Sequence, residues 1–471
     1  MQLKSERDKI AHLLRRFGLG ASQAELEFYG SGGLSGAIDK LLNFENTDEG
    51  FDLPPENLGG KNGQVKVKTI PVWWLLRLVV TNRPLQEKMT LFWHDHFATS
   101  AAKVDVGEAM VHQNDAIRSN CVGHFQDLLA AVSKDPAMLY WLDNQFNVKG
   151  KPNENFAREV MELFTLGIGH YSEKDIQEAA RAFTGWSYGL GPRRYQADKP
   201  ARRSVFSFRT EQHDDGMKTI LGNTGEFDGD DVLGILTGNP QTALYLTRKI
   251  WEWFAYPNPD AGLIDSMAQK FRSSGLDIKV LLRAIMESPE FYSDKAYRAV
   301  IKNPVDFCVS TLRQLGVASQ LQEATKAEDD KAIQRATLPA RALANTTKAM
   351  GMELFFPPDV AGWDGGSAWI SSATMVERIK WADRIFSGST VKGQVSMRYP
   401  AESLFGNDLT PQAVVQRLLS VFDAQLPDSK VSQLVQAAQS TSGGEITARN
   451  ANEVADTVSR LIFGAPEFQF C

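Results

Sequence analysis

Apolar positions recur at helical spacing along most of the chain. In "KIAHLLRRFG" the residues Ile10, Leu13, Leu14 and Phe17 share one face, and Gly18 closes the helix. In "ASQAELEFYG" Ser22 precedes the apolar positions and Glu25 follows three residues later, a reciprocal cap that starts a helix ending at Gly30. "LSGAIDKLLNF" repeats the amphipathic pattern, and residues 44–68, rich in Asp, Asn, Gly and Pro, read as a loop. The same spacing predicts helices over 71–81, 84–96, 106–119, 122–132, 153–166 and 173–183. It resumes at 229–237, 240–255, 260–273, 278–287, 303–315, 338–351 and 372–386, and again over 409–463.

The period changes between 186 and 228. Gly and Pro rise there, and "SVFSFRT" and "KTILG" carry the β-branched and aromatic mix of short strands. The expected fold is therefore mainly α: a multi-helix body over 1–390 with a small β insertion, and a C-terminal helical lobe over 391–471. One internal repeat stands out. "RAIMESPEF" (283–291) matches "RLIFGAPEF" (460–468) at Arg, Ile, Pro, Glu and Phe. Upstream, Phe254 and Pro259-Asp260 answer Phe422 and Pro427-Asp428 at equal spacing, which reads as a duplicated helical hairpin.

Composition refines this picture. The 471 residues are 43% hydrophobic and 23% charged, as in ordinary globular proteins, with room for more than one core. The net charge of -6 argues against a nucleic-acid partner. The basic stretch "GPRRYQADKPARRS" (191–204) reads as a solvated connection. Cys121, Cys308 and Cys471 are far apart and odd in number, which supports neither disulfides nor a thiolate metal site. The apolar run "IPVWWLLRLVV" is too short to span a bilayer and contains Arg77. Charges fill the first ten positions, where a signal peptide needs an apolar stretch, so the expected location is cytoplasmic.

Candidate chemistry begins at "LFWHDHFATS". On a regular helix His94 and His96 point about 160° apart, so one ion cannot bridge them unless the backbone extends there. The bland alternative is a core-edge His96 and a His94 paired with Glu87. A second constellation lies in "PNENFAREVMELFTLGIGHYSEKDIQEAARAFTGW" (152–186), with Asn153 as a helix cap. Arg158, Glu159, Glu162, Glu178 and Arg181 read as a partly buried network, and Glu154 and Glu173 as solvated. A third piece is "EQHDDGMKTILG", where His213 and Asp214 precede a Gly turn and Lys218 follows.

Two readings stay open. In one, His94, His96, Glu159, Glu162, His213 and Asp214 supply ligands for a divalent metal that activates water in a hydrolase. Arg158, Arg181 and Lys218 are then the candidate catalytic cations, the arginines orienting an anionic substrate group. In the other, the chain is a non-catalytic partner or assembly protein and the same residues form a structural clamp. The loop "FFPPDVAGWDGGSAWIS" (355–371) is either a stacking platform built on Trp363 and Trp369 or a plug between helical layers.

The stretches "HLLRRFGLGAS", "FWHDHFATS", "NENFAREVMELFTLGIGHYSEKDIQEAARAFTGW", "HDDGMKTILG" and "FFPPDVAGWDGGSAWISSATMVER" together resemble the bacterial family known as domain of unknown function 1800. They fall in that family's order, and the resemblance covers nearly the whole chain. It implies His94, His96, Asn155, Arg158, Glu159, Glu162, His170, Tyr171, Arg181, Thr184, Trp186, His213, Asp214 and Lys218 as motif positions, with Pro358, Trp363, Gly365, Gly366, Trp369 and Arg378. It also implies an envelope or extracellular setting and, as a partner, an exported sulfatase-like protein encoded nearby.

Overall fold

Serine and aspartate caps start the helices where the sequence places them. Ser5, Ser22, Ser172 and Ser371 each form a reciprocal capping box, and Asp228 does the same before Gly229–Gly238. The computed structural model describes residues 3–58, 64–190, 199–201, 203–325, 330–387, 399–406 and 408–471. Most of the basic stretch 191–204 and the expected lobe boundary at 390/391 lie outside the described residues.

The architecture is mainly α. Among the described residues, strands form only two small antiparallel pairs. Trp186–Gly189 pairs with Val205–Phe208, and Lys218–Ile220 pairs with Asn223–Gly225. Both fall inside the expected insertion. The helix expected from 338 runs instead from Asp330 to Ala349 with Pro339 inside it. A proline reads as a helix start in sequence, yet an established helix can carry one at a local cost. The helix expected over 153–166 begins at Asn155, and its second half, Val160–Thr165, widens into a π-helix.

Two apolar cores fill the body. One gathers the first helices with residues from Phe125 to Ala296; the other gathers Ile70–Val80, Val305–Phe386 and the C-terminal helices. The helix Pro84–His96 runs between them. Its Leu85, Met89, Phe92 and Trp93 enter the first core, and its Leu91 enters the second. The helices Ser372–Phe386 and Ala451–Gly464, on either side of the expected boundary, pack against each other within one core.

The two matched stretches occupy equivalent places. Pro240–Phe254, Ala261–Ser273 and Ile278–Met286 are followed by a 3-10 turn at Pro289–Tyr292. Pro411–Val421, Asp428–Ser442 and Ala451–Gly464 are followed by one at Pro466–Gln469. Each unit is thus three helices and a turn, one helix more than a hairpin. In each, proline stops the third helix and a phenylalanine docks. Phe291 packs on Phe17, and Phe468 on Phe307 and Phe463.

A buried ion network ties Pro84–His96 to its neighbours. Glu87 is fully buried and accepts from Arg118 Nε (2.6 Å), Arg118 Nη2 (3.2 Å) and Trp74 Nε1 (2.7 Å). Burial pushes its pKa up, but Arg118 and Arg77 outweigh that and hold the carboxyl below its usual value. Glu87 therefore serves Arg118, and the expected His94–Glu87 pair is replaced. Arg118→Ala leaves this carboxylate without its main countercharge and is expected to cost about 3–5 kcal/mol in denaturant unfolding. The paired change Glu87→Gln with Arg118→Met is expected to cost less than the single one, since no buried charge is left alone.

Candidate functional site

The helix Pro84–His96 stays regular to its end, so its two histidines face opposite ways. His94 sits among Trp74, Phe355 and Trp363, and its Nε2 accepts the Phe355 N–H at 3.1 Å. Burial pulls its pKa down to about 3, so the ring is neutral with its proton on Nδ1. His96 lies on the other side. Its Nε2 donates to the Phe164 carbonyl at 3.1 Å, and Lys249 Nζ donates to its Nδ1 at 3.1 Å. Burial and the Lys249 charge hold it well below its ordinary pKa. Both nitrogens of His96 and Nε2 of His94 are engaged in protein hydrogen bonds, which leaves those three without a lone pair for a metal ion.

His96 caps the π-helix. The last carbonyls of a helix lack internal partners, and three side chains supply them here. Tyr245 Oη donates to Leu163 O (2.9 Å), His96 to Phe164 O, and Gln241 Nε2 to Leu166 O (3.0 Å). Thr165 Oγ1 turns back to Val160 O at 2.7 Å and fills the widened turn.

Asp95 lies between the histidines in sequence. It is half-buried, its Oδ1 accepts the Trp363 N–H at 2.8 Å, and burial pushes its pKa up to about 6 against the pull of that bond and of Lys249. Lys249, on Pro240–Phe254, is shifted the other way, below its usual value, because burial outweighs attraction to Asp95. The loop reaches Asp95 because residue 362 is glycine. Its φ is +89°, and a Cβ there would stand 2.3 Å from Asp95 Oδ1.

These groups open on a cleft of about 510 Å³. Phe92, Asp95 and His96 form one wall, Lys249, Glu252 and Trp253 a second, and the segment Trp363–Trp369 a third. Trp363 and Trp369 line the cleft but are 9% and 7% exposed. Trp253 is the half-buried indole of the lining. Lys88, buried, pairs with Asp306, which also accepts from Asn303 Nδ2 at 2.9 Å, and this pair lines the cleft too. A larger groove of about 850 Å³ near Pro71 and Arg341 carries none of the candidate site residues.

The remaining candidates lie elsewhere. Arg158 is half-buried and pairs with Glu173 (2.7 Å) and Glu154 (3.3 Å), so those two acids are partners of an arginine. Arg181 grips Asp214 with Nε (2.8 Å) and Nη2 (3.1 Å), and reaches Glu178 at 2.9 Å and Met217 O at 3.1 Å. Asp214 N–H binds Thr184 Oγ1, His213 Nδ1 binds Thr184 O, and Lys218 Nζ donates to Gly216 O. This set clamps the loop before Lys218–Ile220 onto the helix Glu173–Ala182. Glu162 accepts from Tyr171, and Glu159 is half-buried beside it with a raised pKa, from burial first and Glu162 second. None of Arg158, Glu159, Glu162, Arg181, His213, Asp214 and Lys218 lines the cleft, and among the described residues no three His, Cys, Asp or Glu side chains are placed to hold a metal ion together.

Asp95 was visible inside "FWHDHF" but lost among its histidines. Lys249, Glu252 and Trp253 gave no chemical signal, since "KIWEWF" reads as an amphipathic helix.

The described residues form a mainly helical protein with a polar–aromatic cleft beside the helix that runs between two cores. The chain belongs to a family described as protein of unknown function, DUF1800, whose profile matches residues 12–470. No curated protein and no solved structure matches it. Among the described residues no helix is long and apolar enough to cross a membrane.

Two outcomes test this geometry. The Arg181 hydrogen bonds hold the Asp214 carboxyl down at about 2. Its contribution is therefore full above the unfolded pKa and lost as pH falls through the folded one. Asp214→Asn is expected to cost about 1–2 kcal/mol in urea unfolding at pH 7. The gap to the parent protein should close as the pH falls from about 4 to 2. Gly362→Ala is expected to push the loop off Asp95, seen as a changed near-ultraviolet signal from Trp363 with the far-ultraviolet helix signal retained.

Proposed function

We propose that the cleft is an active site and that the chain is an acid–base hydrolase in which Asp95 moves the proton. The observation that carries this reading is the Asp95 carboxyl itself. It is raised to about 6, aimed by the Trp363 N–H, and opens on a cleft with aromatic and charged walls. A base works best when its pKa lies near the working pH. Asp95 takes a proton from a water molecule as that water attacks the substrate, then returns it to the leaving group. Lys249, fixed by His96, faces the charge that develops on the substrate. His96 touches no substrate in this scheme; it positions Lys249. Trp253 receives an apolar face of the substrate.

The reading replaces the metal-assisted route drawn from sequence with one that needs no ligand from His94 or His96. The clamp drawn as its rival fits Arg181, Asp214 and Glu178, which sit apart from the cleft.

The test is a panel of fluorogenic ester, amide and glycoside substrates with the parent, Asp95→Asn and Trp253→Ala. Turnover by the parent should rise with pH through about 6, fall about 10²–10⁴-fold in Asp95→Asn, and show a raised KM in Trp253→Ala. Unchanged turnover in a folded Asp95→Asn protein would sink the proposal. A stability readout stands beside it. A carboxyl raised in the folded state lowers stability as pH climbs from the unfolded to the folded pKa. The stability of Asp95→Asn relative to the parent should therefore rise by on the order of 1–3 kcal/mol between pH 4 and pH 7.

A further inference from the structure

The cation beside Asp95 limits what the cleft can hydrolyse. Three cations line it: Arg16, Lys88 and Lys249. Arg16 gives its donors to the carbonyls of Phe254, Ala255 and Cys471 and to Cys471 Sγ, and Lys88 is paired with Asp306. Lys249 differs. Its Nζ donates to His96 Nδ1 at 3.1 Å, and among the described residues it has no bond to a carboxylate or a carbonyl. An ammonium has three donors, so two are left for a ligand in the cleft.

The sign of that charge discriminates between reactions. Glycoside hydrolysis builds positive charge on the sugar, which an ammonium beside the acid–base group would oppose. A phosphate ester arrives already negative, among the carboxylates of Asp95, Glu252 and Asp364. Glu252 accepts only the Asn258 N–H, at 3.3 Å, and Asp364 is exposed, so neither is neutralised by a cation. Attack on an uncharged carbonyl compound creates one negative oxygen, and only in the transition state. One ammonium with free donors matches that need.

The rest of the lining is apolar where it is accessible. Ala299, Val300 and Ile301 run along the cleft beside Phe470, and all four are half-buried. A bridge between Ile301 and Phe470 and the Cys471 N–H bond to Val300 O (2.9 Å) hold the two segments together through backbone. Their side chains are thus left to meet an apolar group.

We propose, resting on the hydrolase reading, that the substrate is an uncharged ester or amide of an apolar carboxylic acid, with Lys249 at the oxyanion and Val300, Ile301 and Phe470 along the acyl chain. The water oxygen bonds to the acyl carbon as Asp95 takes its proton, and the carbonyl π pair moves onto the oxygen that faces Lys249. When that pair returns, the bond to the leaving oxygen or nitrogen breaks, and the leaving atom takes the proton from Asp95. Water is consumed, and a carboxylic acid and an alcohol or amine are formed.

The experiment assays the parent, Asp95→Asn, Lys249→Met and Ile301→Ala with 4-nitrophenyl esters from acetate to octanoate, the matching anilides, and 4-nitrophenyl glycosides and phosphate. Acyl substrates alone should be turned over, and only where Asp95 is present. For the parent, kcat/KM should rise about 2–4-fold per added methylene. Ile301→Ala should flatten that rise. Lys249→Met should lower kcat about 10²–10³-fold with little change in KM, since the oxyanion exists only in the transition state. Asp95-dependent turnover of glycosides or phosphate in place of acyl substrates overturns the assignment and leaves the hydrolase reading standing, as does a rate indifferent to chain length. No turnover of any class overturns both. If Lys249→Met does not fold, substrate class and chain-length dependence in the parent decide the matter.

Discussion

A helix that carries Glu87, Lys88, His94 and His96, all buried, between two apolar cores must find a partner for each polar group. Each partner comes from a different part of the chain. Arg118 and Trp74 meet Glu87, Asp306 meets Lys88, the Phe355 amide meets His94, and Lys249 with the Phe164 carbonyl meets His96. The cleft exists where that satisfaction is incomplete: Asp95 has one backbone N–H and a nearby ammonium, and its remaining valence faces the opening.

The same economy explains the clamp at the β insertion. Arg181 spends its donors on Asp214, Glu178 and Met217 O, which pins a loop that has only short strands to hold it. Such a group looks like catalytic machinery in sequence, because buried arginines and carboxylates occur in both settings. Its saturation distinguishes it. A guanidinium whose donors are taken by its own protein has little left for a substrate, whereas Lys249 is bound through one ring nitrogen and lines a cavity.

The duplicated units frame the site from two directions. The first delivers Lys249, Glu252 and Trp253 on its opening helix. The second delivers Phe470 and Cys471 just beyond its closing turn. Equivalent pieces therefore play different parts, one giving chemistry and the other a wall. A bridge between Ile301 and Phe470 and the Arg16 bonds to Cys471 hold that wall against the first core.

The sequence by itself determined most of the long helices, the Ser22 cap and the place of the β insertion, because spacing, capping residues and turn residues act within a few positions of each other, but it put a cap at Asn153 where the helix begins at Asn155 with no side-chain cap, and it missed Pro136–Trp141 and Val317–Thr325. It left open whether the backbone extends at His94 and His96; the structure keeps that helix regular to His96, so the two rings diverge. The tertiary structure alone decided which polar groups are satisfied. His94 turned to a backbone amide rather than to Glu87, Arg158 paired with Glu154 and Glu173, and Asp95 met a lysine 154 positions away. Partners that far apart leave no local pattern. Burial, which sets the charge state of each group, is a property of the packed molecule and not of any segment.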